Sequence, residues 1–114
     1  MKTISLIKIL AVALAFAAVS CWQAAAADGK ELWDKNCAAC HGKDGKGETR
    51  MGRQKGVKDY TDPKVQATLT DEQALKAIKE GVTEDGKEKM KSFADKVNDE
   101  EAKALVAYLR TFKK

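Results

Sequence analysis

After Cys40 the chain has no cysteine, and His41 is its only histidine. A structural zinc site takes four ligands, often from two such residue pairs, so carboxylates would have to complete one here. No stretch alternates apolar and polar residues over the length of a strand. That removes the βαβ setting of a thioredoxin-like redox pair and predicts a chain without a sheet. The longest apolar run is Ile9 to Val19, eleven residues, short of a membrane span. A large excess of one charge is also missing. The 21 basic side chains face 17 acidic ones, and so small a balance leaves no bulk footprint for nucleic acid. Internal repeats and low-complexity tracts are absent after residue 27.

What the N-terminus does have is an export signal. Lys2 and Lys8 supply the positive start, Ile9 to Val19 the apolar centre, and Ala24 to Ala27 the small residues of a cleavage site. The expectation is a signal peptide over residues 1–27, cut after Ala27, and a periplasmic domain over residues 28–114. Two alternatives stand beside it. One is an uncleaved anchor. The other is a lipidated Cys21, although Ala18 occupies the place where a lipoprotein box has a large aliphatic residue. Removing Lys2 and Lys8 leaves 19 basic against 17 acidic side chains, a charge of +2 on 87 residues. That length allows one domain, and a core so small commonly needs a staple.

The staple is legible in Cys37-Ala38-Ala39-Cys40-His41. Two cysteines three apart and an immediate histidine read as a c-type haem attachment site. On a helical turn residues 37 and 40 share a face, so each thiolate can add to one vinyl group of one haem. His41 is then placed as the proximal iron ligand. Half of a zinc site, a redox dithiol and a chance match are the competing readings.

Around this motif the pattern is helical. Gly29 to Ala39 reads as a first helix, ended by the turn residues of Gly42-Lys43-Asp44-Gly45-Lys46-Gly47. Residues 42–60 read as an irregular, lysine-rich loop. Asp62-Pro63 starts a short helix to Leu69. Thr70-Asp71-Glu72-Gln73 reads as a capping box opening a helix that Gly81 ends. Residues 82–97 read as a second loop. Asn98 and Glu101 cap the last helix, where Ala102, Leu105, Val106, Leu109 and Phe112 repeat at helical spacing, and Lys113 and Lys114 suit its C-terminal dipole. The expected fold is all-α, about four short helices around the haem.

Iron has a second axial position, and with one histidine in the chain it cannot be filled by another. Methionine, lysine, water or an open site remain. Past the leader the methionines are Met51 and Met90. Met51 lies in the loop leaving His41. Met90 follows three expected helices, which gives the chain room to travel around the haem edge. Met90 is the expected distal ligand.

These residues resemble the class I cytochromes c, the small soluble bacterial kind, over nearly all of residues 28–114. Gly29-x-x-Leu32-Trp33 with the Cys37-Cys40-His41 motif looks like the family's first helix, and Leu105-x-x-Tyr108-Leu109 like its last. The resemblance implies that these helices cross, with Gly29 packed near Leu105 and Tyr108. Met90-x-x-Phe93 resembles the distal loop. Two departures appear. Many members of that family carry a proline soon after the motif, whose carbonyl accepts the proximal imidazole proton. Here Pro63 is the only proline, so a carbonyl within residues 42–57 is expected instead. Related chains also have proline after the distal methionine, where this one has Lys91.

The expected function is therefore electron transport by a non-enzymatic, monomeric one-electron carrier with one haem c and His41/Met90 ligation. Lys87, Lys89 and Lys91 flank the distal ligand and are the expected docking surface for an acidic redox partner. A ligand-binding or peroxidatic haem protein, with Met90 off the iron, is the rival. A small subunit of a larger redox complex is a third reading.

Overall fold

The computed structural model describes residues 28–114. The expected leader over residues 1–27, with Cys21, lies outside the described residues. The elements are α1 (Gly29–Asn36), α2 (Ala38–His41), α3 (Arg50–Lys55), α4 (Pro63–Thr68), α5 (Asp71–Glu80), β1 (Val82–Glu84), β2 (Lys87–Met90) and α6 (Asp99–Arg110).

Side-chain caps set most helix starts. Asp28 accepts from the amides of Lys30 and Glu31 at α1, and Asp62 accepts from Lys64 at α4. Thr70 with Gln73, and Asn98 with Glu101, form complete capping boxes at α5 and α6. Each satisfies backbone donors that a helix start leaves orphaned. The expected first helix is interrupted at Cys37, whose φ of −116° with ψ of −32° distorts the turn while staying in the right-handed helical region. Its bonds nevertheless run through: Cys37 N–H donates to the Trp33 carbonyl at 2.8 Å, and His41 N–H to the Cys37 carbonyl at 2.9 Å. The path thus stays helical to His41.

Two expected loops contain structure. Within residues 42–60, α3 forms because Thr49 caps it and Gly56 closes it in the left-handed region. Within residues 82–97, β1 and β2 pair antiparallel, with Val82 opposite Met90 and Glu84 opposite Lys87. The expectation of no sheet is corrected by this hairpin. Its turn is Asp85-Gly86, with φ of 51° and 74°. That is the pattern of a type I′ turn, for which Asp-Gly is a favoured pair. Short strands of charged residues hide the alternation that normally marks a hairpin.

The core lies where α1 crosses α6. Trp33, Cys37, Ala74, Ile78, Val97, Ala102, Leu105, Val106 and Leu109 are buried together. The crossing is close because Gly29 has no side chain: a β-carbon there would sit 2.6 Å from the Ala104 carbonyl oxygen and 3.0 Å from Tyr108 Cβ. Helix α6 stops at Arg110, so Phe112 lies past its end. Phe112 instead turns onto Trp33, with ring centroids 5.0 Å apart, and onto Tyr108 at 5.1 Å.

Helix α4 is fastened by a polar cluster. Gln66 is buried and donates through Nε2 to the carbonyls of Tyr60 at 2.7 Å and Leu109 at 2.9 Å. The Arg110 guanidinium donates to Gln66 O, Gln66 Oε1, Leu69 O and Asp71 Oδ1, all within 3.1 Å. A buried amide is tolerated here because each of its polar atoms has a partner.

Candidate functional site

The turn at α2 places Cys37 and Cys40 one helical step apart, both as free thiols, Cys37 buried and Cys40 half-buried. Burial, with the nearby Cys40 thiol adding to it, pushes the Cys37 pKa up to about 12. Cys37 thus sits as a neutral thiol in an apolar wall.

His41 is held between two aromatic rings, Trp33 at 5.6 Å and Tyr60 at 5.4 Å between centroids. Burial lowers its pKa, which keeps the imidazole neutral, the form that binds a metal. Its Nδ1 is buried without a hydrogen-bond partner among the described residues. The carbonyl expected to orient this ring from residues 42–57 is thus missing, and carbonyls near the ring accept from other donors. Cys40 O accepts from the Thr49 hydroxyl at 2.7 Å, His41 O from the Gly47 amide at 2.8 Å, and Gly42 O from the Trp33 indole at 2.8 Å. Gly45 O accepts from the Tyr60 amide at 2.9 Å. These bonds hold the loop's own shape, and the ring's neighbours are the aromatic side chains of Trp33 and Tyr60.

Met90 ends β2, half-buried, and packs against the core cluster that contains Cys37. Met51 is on α3 and is 46 % exposed. Lys87 and Lys91 are exposed, while Lys89 is half-buried. Lys91 Nζ lies 5.3 Å from the Phe93 ring centroid, a cation–π distance. Tyr60 and Phe93 also pack against the core. Burial, and to a lesser degree Cys37, raises the Tyr60 pKa. Sequence reading passed over Tyr60 as a neighbour of His41, and no spacing rule points to it.

Among the described residues no group of three or more His, Cys, Asp or Glu is placed to hold a metal ion. Zinc would therefore lack its ligand count. Two free thiols on one turn, an imidazole beside them that burial keeps neutral, and an apolar surround fit covalent haem instead. The class of protein that this fold and donor set define is the c-type cytochromes.

Residues 24–109 match the protein family described as "Cytochrome C oxidase, cbb3-type, subunit III". The chain belongs to this family and is a small c-type cytochrome. It is similar to a solved structure, the "KustC0563 c-type cytochrome", at 39 % identity, covering 76 % of this chain and 99 % of that one, with a TM-score of 0.69. A point mutant of that protein aligns at 38 % identity over 75 % of this chain and 99 % of its own, with a TM-score of 0.66. A search of curated proteins gives no match. Membership implies covalently bound haem and haem-based electron transfer. Proteins of this class are typically exported, and among the described residues no helix is long and apolar enough to cross a membrane.

Proposed function

We propose that this protein is a one-electron carrier and not an enzyme, holding one haem c through thioethers at Cys37 and Cys40, with His41 and Met90 as axial ligands. The observation that carries the reading is the His41 ring. It is half-buried against Trp33 and Tyr60, with its pKa lowered by burial, directly beside two free thiols. Met90 is the half-buried methionine against that core, and its soft thioether suits the second position.

When bound, haem supplies an iron that changes between ferrous and ferric by one electron. The residues of the chain do the rest. Cys37 and Cys40 fix the group in place. Trp33 and Tyr60 pack against the His41 ring and hold it in orientation. Met90, as the second iron ligand, would leave oxygen or peroxide no place to bind, and a Met/His pair would favour a higher potential. Lys87, Lys89 and Lys91, around the distal ligand, form a docking face for an acidic redox partner, acting mainly on encounter rate. Residues 1–27 serve as a cleaved signal peptide, and the domain over residues 28–114 works as a periplasmic monomer.

The family description, which names an oxidase subunit, favours a second reading, in which the same carrier chemistry operates inside a larger redox complex. Co-purification with a membrane oxidase would support it.

The test of the carrier reading is Met90→Ala. Loss of the sulfur ligand should abolish the weak near-infrared sulfur-to-iron band of the ferric protein, lower the potential, and open the ferrous form to carbon monoxide. Met51→Ala should change none of these. An unmodified protein that binds carbon monoxide readily, with a spectrum indifferent to Met90, would make this a ligand-binding haem protein.

A further inference from the structure

Met90 leaves β2 into a segment without regular structure that runs through Phe93. The stiffness of that segment must come from packing. Its backbone is joined to the C-terminal turn of α5, where the last carbonyls of a helix lack intrahelical donors. Phe93 N–H donates to the Ile78 carbonyl at 2.8 Å. Ser92 Oγ donates to the Lys79 carbonyl at 2.5 Å and accepts from the Ala94 amide at 3.2 Å. Segment 92–93 thus adds to the Gly81 cap of α5 from 13 and 15 residues downstream.

Gly81 makes this junction possible. It has φ of 76°, and a β-carbon there would lie 2.5 Å from the Met90 carbonyl oxygen, 2.9 Å from the Ser92 nitrogen and 3.0 Å from the Lys91 carbonyl carbon. All three are backbone atoms, so any side chain at 81 must push the segment that carries Met90 away from α5. The contrast with Gly86 is direct. Its φ is 74°, yet a β-carbon there meets nothing within 4 Å. Both glycines have positive φ, Gly81 with ψ of −177°, and only Gly81 has the Met90 backbone pressed against it.

We propose that Gly81 and Ser92 are positioning residues for Met90: they join the Met90–Phe93 backbone to the end of α5 and hold the thioether where an iron ligand must stand. The proposal rests on the reading of Met90 as that ligand. Neither residue acts through the Met90 side chain. They act through its carbonyl and the two residues that follow, as outer-shell groups orient a ligand.

The test compares holoprotein of the unmodified chain with Gly81→Ala, Ser92→Ala, Gly86→Ala and Met90→Ala. The ferric near-infrared sulfur band, the carbon monoxide binding rate of the ferrous form, and the melting temperature are measured on each. Gly81→Ala and Ser92→Ala should weaken the band and speed carbon monoxide binding by about ten-fold, the scale of a lost or strained backbone contact. Gly86→Ala, at a positive-φ glycine with open space around it, should lower the melting temperature and leave band and rate unchanged. If Gly81→Ala does not accumulate with haem, Ser92→Ala decides alone. The proposal is overturned if both variants keep the unmodified band and rate, or if Gly86→Ala perturbs them equally. An unmodified protein without the band, or a Met90→Ala variant that keeps it, removes the ligand reading itself and the proposal with it.

Discussion

Gly29 and Ala104 meet backbone to backbone at the crossing of α1 and α6. A β-carbon on Gly29 would stand 2.6 Å from the Ala104 carbonyl oxygen, a distance that only movement of one helix can relieve. Because α1 runs on to Cys37 and His41, this contact sets where the attachment motif sits relative to the core.

Gly29→Leu should therefore overpack the crossing and cost about 1–3 kcal/mol. For a domain of this size each kcal/mol lowers the melting temperature by roughly 4–8 °C. Thermal melting of the holoprotein checks this, and an unchanged melting temperature would mean that the helices do not cross as described.

Arg110 holds three neighbours at once: Gln66, the Leu69 carbonyl and Asp71. Arg110→Ala leaves the buried Gln66 oxygen without its donor and should cost about 2 kcal/mol. Arg110→Lys should recover less than half, because an ammonium cannot reproduce the planar fork. Denaturant unfolding measures both, and equal stability of the lysine variant and the unmodified chain would argue against the fork.

Lys79 Nζ lies 2.6 Å from Asp99 Oδ1, tying the end of α5 to the first turn of α6. The hydrogen bond from Lys79, and then its charge, hold the Asp99 carboxyl below its ordinary value. A pKa depressed in the folded state gives stability that is present above the unfolded value, about 3.9, and lost as pH falls through the folded one. The window is thus below about pH 4. The pair is exposed, so its contribution is small and screened by salt. Carboxyl titration by NMR should show the Asp99 midpoint rising in Lys79→Met, and also rising in the unmodified chain with added salt. A midpoint indifferent to Lys79 would show that the pair does not persist in solution.

The attachment chemistry is checked by mass. Exported protein made alongside haem-ligation machinery should have the mass of a chain beginning at Asp28 plus one haem, retained after denaturation. Cys37→Ala and Cys40→Ala should each leave a single thioether. Full-length mass without haem would contradict both the leader and the attachment.

Some of this was readable along the chain. The Cys37-Cys40-His41 spacing, the caps at Asp62, Thr70 and Asn98, and the apolar stripe of α6 are local. Each depends on residues within one or two helical turns, and the geometry of a turn is the same in any protein. The hairpin had a local signal too, in Asp85-Gly86, but the charged strands around it carry none of the usual alternation.

The rest was decided by residues far apart in sequence. That the carbonyls near His41 are taken by Thr49, Gly47 and Trp33 follows from how the loop folds back on α1. That Gln66 is buried and satisfied follows from where α6 ends. Gly81 reads in sequence as a helix terminator, and its contact with the Met90 backbone exists only once the hairpin has returned to α5. Sequence alone determined the motif, the caps and the helical stripe, because those are properties of the chain over a few residues. Tertiary structure decided which polar groups find partners and which backbones touch, because both depend on distances between segments that no local pattern encodes.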